Sequence, residues 1–210
     1  VPVTWSTLDD YAAELNRREP AINIASLCGH NTLRANISGY DGRTLAAAEL
    51  NRMTELLEQA LHQGAAGLST GLLYTPGRFA DTTELLHLMS VLKKFDRLYA
   101  THLRSEGDQL TEALEEAVFL AKNGSRKLQV SHLKTALPRN WDKLDRVLEL
   151  IRNAQSCGIR LTADRYPYIR SQTSLSVILP PPYDAMDDIS IRRTLCENPA
   201  EQQKTARELA

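Results

Sequence analysis

The chain has 210 residues, with 25 lysines and arginines against 26 aspartates and glutamates, for a net charge of −1. That length holds one large core or two small ones. The near cancellation of charge, with no basic stripe, argues against nucleic acid or an anionic membrane as the main partner. The longest apolar stretches are strand-sized, which excludes a membrane-spanning helix from the reading. Cys28, Cys157 and Cys196 are few, odd in number and in no CxxC spacing, as suits a reducing cytoplasm. The sequence opens at Val1-Pro2 with neither an initiator methionine nor a signal-peptide pattern, so it is expected to be part of something longer.

Residues 4–18 are predicted as a short helix with Trp5, Leu8, Tyr11, Ala12 and Leu15 on one side. INIASLCGH (22–30) is the first strand candidate, broken by Gly29 and the polar run after it. Residues 45–63 follow as a helix, since Met53, Leu56, Leu57, Ala60 and Leu61 share one face. AAGLSTGLL (65–73) is the next strand and leads into a Tyr-Thr-Pro-Gly loop. Asp81, with Glu84 three residues on, marks a capping-box start for a helix carrying Leu85, Leu88, Leu92 and Phe95 inward. The strand in LYATHLRSE (98–106) is followed by a helix from about Asp108, which Asn123-Gly124 ends. After LQVSHLK (128–134), a further helix is expected to carry Trp141, Leu144, Leu148 and Ile151 and to stop at Cys157-Gly158. GIRLTADRYPY (158–168) is the fifth strand. Beyond Tyr168 the pattern changes, so residues 1–170 are expected to form the main unit and 171–210 a lid or inserted helical segment of the same domain.

Equivalent strand-end positions fall at Ser69, His102, His132 and Asp164, at separations of 33, 30 and 32 residues. A (β/α)8 barrel spends ~250 residues on eight units, or about 31 on each. An open doubly wound sheet has a similar period. The barrel is preferred because successive strands each end in a polar residue, at the edge where barrel active sites collect. The expected fold is therefore α/β, a partial TIM-type (β/α)8 barrel of about five βα units.

His102 and His132 are the leading candidates for chemistry. A lone histidine at a strand end is more commonly a hydrogen-bonded core residue. Two on neighbouring parallel strands converge on one volume, and a shared metal site becomes the better reading. Zinc in a catalytic site takes three protein ligands, and by strand logic Asp164 is the nearest further candidate. Lys134 and Arg104 each lie two residues past a histidine, on its face if the chain is still extended. There a cation suits a substrate carboxylate, although an ordinary loop charge is an equal reading for Lys134 and the better one for Arg104. Tyr74 follows the glycine-rich segment GAAGLSTGLLYTPG (64–77), and Tyr166-Pro167-Tyr168 closes the fifth strand. His30, also at a strand end, is a candidate support for the site. His62 and His87 lie on helices and receive no role, and Cys28 is read as packing.

These segments resemble the D-aminoacylase family, the N-acyl-D-amino-acid deacylases of the metal-dependent amidohydrolase superfamily. GHNTLR, GAAGLSTGLLYTPG, ATHLRSEGD, LQVSHLK and DRYPYIRSQTSLSVILPP occur in that order over nearly the whole chain. The resemblance implies strands three to seven of an amidohydrolase barrel that hydrolyses the amide of N-acyl-D-amino acids with Zn2+. It makes His102 and His132 metal ligands, Lys134 and Tyr74 contacts to the substrate carboxylate, and Tyr168 and Ser174 neighbours of the scissile carbonyl. It also sets Asp164 on strand seven, outside the ligand set. The family's HxH pair, its cysteine ligand and its strand-eight general-base aspartate have no counterpart in the chain; the aspartate is expected beyond residue 210. Ser69-Thr70 stand at the strand-four edge where other amidohydrolases carry a bridging lysine. This piece alone is thus expected to be inactive or nearly so, with weak zinc affinity. The competing readings are a related cyclic-amide or D-peptide amidohydrolase, and a non-catalytic partial barrel that self-associates through open sheet edges.

Overall fold

The computed structural model describes residues 3–173, 179, 182, 183, 186 and 188–208. Helix α1 (Leu8–Arg17) starts on a capping box between Thr7 and Asp10. It leads to β1 (Cys28–Gly29), α2 (His30–Ser38) and α3 (Ala47–His62). Strands β2 (Gly67–Gly71), β3 (Leu98–His102), β4 (Lys127–Val130) and β5 (Arg160–Ala163) then alternate with α4 (Thr82–Phe95), α5 (Leu110–Asn123) and α6 (Leu144–Ser156). Helices α7 (Asp188–Glu197) and α8 (Pro199–Glu208) close the chain.

All five strands are parallel and adjoin in chain order. A doubly wound sheet reverses its order at a switch point. The unbroken sequence β1 to β5 is instead the wall of a partial (β/α)8 barrel. Leu68, Tyr99, Leu128 and Leu161 form a buried row on the strands. Met53, Leu57 and Leu61 of α3, Leu85, Leu88, Met89 and Leu92 of α4, and Leu110, Leu114, Ala117 and Ala121 of α5 belong to the same core. That is the apolar stripe expected for each helix. β2 and β3 come very close at Gly67, where a Cβ would lie 2.0 Å from the Leu98 carbonyl oxygen. Gly67→Ala should therefore push two ladder strands apart and destabilise the chain by about 1–3 kcal/mol. Urea unfolding checks this, and an unchanged midpoint would contradict it.

Four expectations need correction. The strand read over 22–30 shrinks to Cys28–Gly29, paired with β2 on one side among the described residues and extended by one backbone bond from the Ala66 N–H to the Ser26 carbonyl at 2.8 Å. The segment after Gly29 is helical rather than a break. His30, Leu33 and Arg34 face inward from α2, and two polar residues in that stripe hid its period. On α6 the buried residues are Val147 and Ala154, while Trp141 is 65% exposed. Trp141 belongs to a 3-10 segment, Pro138–Lys143, whose tighter turn shifts the phase of a stripe counted from it. At α4, Asp81 caps the helix by accepting the Glu84 N–H at 2.8 Å. The Glu84 carboxylate does not complete the box; it turns inward to Arg34 and His30.

Candidate metal centre

The register that pairs Gly71 with His102 makes His102 the last residue of β3, at the carboxyl edge of the sheet. His132 lies two residues past β4, with φ at +39°, a left-handed conformation uncommon outside glycine. Asp164 holds that turn: its Oδ1 accepts the His132 N–H at 2.6 Å and its Oδ2 accepts from the Gln129 side chain at 2.7 Å. Both oxygens of Asp164 are thus engaged with the β4 end.

The two imidazoles meet edge to face, with ring centroids 4.5 Å apart and His102 Nδ1 2.9 Å from His132 Nε2. Glu106, on the loop after β3, contacts His132 Nδ1 at 2.9 Å and forms an ion pair with Lys134. His102, Glu106 and His132 form a three-residue group with donor atoms within 4.8 Å of one another. Burial pushes His102 down to about 4, against the opposing charge of Glu106, so its imidazole is neutral and carries a lone pair at neutral pH. His102 Nε2 is buried with no hydrogen-bond partner among the described residues. Tetrahedral zinc with ligand nitrogens at 2.0–2.1 Å needs a nitrogen–nitrogen edge of about 3.3 Å. Two imidazole nitrogens 2.9 Å apart therefore fit a borderline divalent cation with little movement.

The Tyr74 ring stacks at a tilt, 4.8 Å from His102, and the Tyr166 ring lies 6.3 Å from His132 with Lys134 Nζ 5.4 Å from its centre. These groups line a cavity of about 550 Å³ that also takes in Tyr168 and Arg170. Tyr168 is 68% exposed on its rim. Ser174 lies outside the described residues. A larger cavity, about 890 Å³, runs between α1, β1 and α3, but it contains neither histidine nor Lys134.

Arg104 is turned away from this cavity. It binds Glu116 at 2.9 Å and the carbonyls of Arg78 and Ala80, so it fastens the loop before α4 to α5. His30 is buried against Glu84 at 2.7 Å and belongs to a charge cluster with Arg34. The sequence reading missed Glu106 and, of the two tyrosines in Tyr166-Pro167-Tyr168, settled on Tyr168 where Tyr166 is the one beside His132 and Lys134. Glu106 stands four residues past His102 in a loop without periodicity, so only its neighbourhood to LQVSHLK across the strands reveals it.

The wall of parallel βα units thus carries a histidine pair at adjacent carboxyl strand ends, the edge where barrel active sites collect. No protein-family model matches the sequence. The chain is 35% identical over 181 residues to the N-acyl-D-glutamate deacylase of Alcaligenes xylosoxydans xylosoxydans, covering 86% of this chain and 36% of that protein. The zinc and phosphonate-inhibitor complex of N-acyl-D-glutamate deacylase from Bordetella bronchiseptica superposes with a TM-score of 0.76 at 36% identity, over 80% of this chain and 35% of that one. A D-aminoacylase structure superposes with a TM-score of 0.73 at 34% identity, over 78% of this chain and 34% of that one. Over this stretch the chain is homologous to N-acyl-D-amino-acid deacylases. It spans about a third of the length of these relatives.

Proposed function

We propose that this chain forms part of the active site of a zinc-dependent N-acyl-D-amino-acid deacylase. The observation that carries the reading is the imidazole pair, 2.9 Å apart at neighbouring strand ends, in a chain homologous to such enzymes. His102 Nδ1 and His132 Nε2 would hold the ion. A bound zinc ion supplies Lewis-acid polarisation of the amide carbonyl and brings the pKa of coordinated water toward about 7.

The chain's own residues do the rest of what it contributes. Lys134 offers an ammonium group to the carboxylate of the amino-acid half, in competition with Glu106, which holds it in the free protein. Tyr74 and Tyr166 wall the cavity on either side of the histidines and limit water around the reacting amide. Tyr168 at the rim supplies a hydroxyl for the scissile carbonyl. The general base falls to a strand-end aspartate outside residues 1–210. Cys28, Cys157 and Cys196 are unpaired, which supports a cytoplasmic setting.

The test combines metal analysis with an enantiomer pair. The chain should take up zinc weakly, and the zinc-loaded chain should bind N-acetyl-D-glutamate or its neutral D-analogues in preference to the L-enantiomers. Hydrolysis by this chain alone should be slight. Failure to bind zinc, or equal binding of both enantiomers, would sink the reading, and rapid turnover would overturn the assignment of the base elsewhere.

A further inference from the structure

We infer that Glu106 is a positioning residue, which fixes the His132 imidazole in its Nδ1–H form and so leaves Nε2 facing His102 as a bare lone pair. The inference rests on the metal reading above and assigns Glu106 a place outside the ligand set rather than in it.

Three contacts meet at one oxygen. Glu106 Oε1 lies 2.9 Å from His132 Nδ1, accepts from the Lys134 ammonium, and stands 3.9 Å from His102 Nε2. The loop that carries Glu106 is tied across the site, because its carbonyl accepts the Ala136 N–H at 2.7 Å. An ionised carboxylate has no proton to donate. Its contact with His132 Nδ1 is attractive only when the proton sits on that nitrogen.

A competing arrangement is on hand, since Lys134 Nζ is 3.0 Å from the same Nδ1. Were Lys134 to donate there, Nδ1 would turn a lone pair toward the carboxylate, and the imidazole proton would move to Nε2, blocking the metal position. Lys134 has three N–H groups and can direct one to Glu106 instead. The carboxylate therefore decides the tautomer. A carboxylate behind a metal-binding histidine fixes ring orientation and raises ligand basicity, and losing such a partner typically costs 10–100-fold in metal affinity. His102 Nε2, buried without a hydrogen-bond partner among the described residues, is the atom that must carry the proton once Nδ1 gives its lone pair to a cation.

The experiment reads the tautomer directly. Long-range proton–nitrogen NMR correlations of the metal-free chain, at about pH 8.5 and so above the ordinary histidine range, should show His132 as Nδ1–H. Glu106→Ala should shift it to Nε2–H, because Lys134 becomes the donor to Nδ1. Lys134→Met, which removes the competitor, should keep Nδ1–H. Cobalt affinity should fall about 10–100-fold in Glu106→Ala, with the wild-type coordination number retained in the cobalt spectrum. A wild-type His132 in the Nε2–H form overturns the inference even if no variant folds. So does an unchanged tautomer in Glu106→Ala, or a lost ligand band, which would make Glu106 a direct ligand. A chain that binds no zinc yet shows the tautomer shift overturns the deacylase reading and leaves the Glu106 assignment standing.

Discussion

Exchange of His102 and His132 together for alanine should abolish zinc binding, with a loss of affinity exceeding about 100-fold. The magnitude follows from the outer partners of metal-bound histidines, whose removal already costs 10–100-fold; removal of the ligands themselves costs more. The fold should survive. Both rings stand at the carboxyl edge of the sheet, and neither belongs to the apolar cluster made by the strands and α3 to α5. His102 even carries a buried nitrogen without a hydrogen-bond partner among the described residues, so its truncation removes an unbonded polar atom along with the ring. Competition against a chromophoric chelator measures the affinity, and circular dichroism checks the helices. Zinc held by the double variant as tightly as by the wild type would mean that the ion sits elsewhere.

Glu84→Ala should destabilise the chain by about 3–5 kcal/mol, the usual penalty for removing one partner of a buried ion pair. Arg34 is 0% exposed and Glu84 3%, and His30 shares the same carboxylate at 2.7 Å. Without Glu84, the Arg34 guanidinium keeps, among the described residues, only its hydrogen bond to the Arg43 carbonyl, at 2.7 Å, and a full positive charge stays in the interior. Domains of this kind are stable by about 5–15 kcal/mol in total, so a large share disappears. Replacing Arg34 and Glu84 together by Met and Leu should restore much of it, because the desolvation penalty of the charges vanishes with them. Chemical denaturation separates the two cases. A single variant within about 0.5 kcal/mol of the wild type, the range of ordinary surface changes, would show that water or a rearranged loop takes over the charge.

Much of this molecule was legible from residue order. The stripes Met53-Leu57-Leu61, Leu85-Leu88-Leu92 and Leu110-Leu114-Ala117 are uninterrupted, and the buried helices α3, α4 and α5 coincide with them. Where a polar residue occupies a core position the period is masked, which is why α2, with His30 and Arg34 inward, was read as a break. A 3-10 turn ahead of α6 displaced the face counted from Trp141 in the same manner.

Spacing near 31 residues and polar strand ends determined the parallel βα repeat and singled out His102 and His132, because each is a local property of one strand and the helix after it. What the local pattern leaves open is which loops meet. Glu106 reaches Lys134 and His132 across 28 and 26 residues of chain, and Asp164 reaches the His132 backbone across 32. Those contacts exist only because β3, β4 and β5 lie side by side in order, which brings the loops at their carboxyl ends over one cavity.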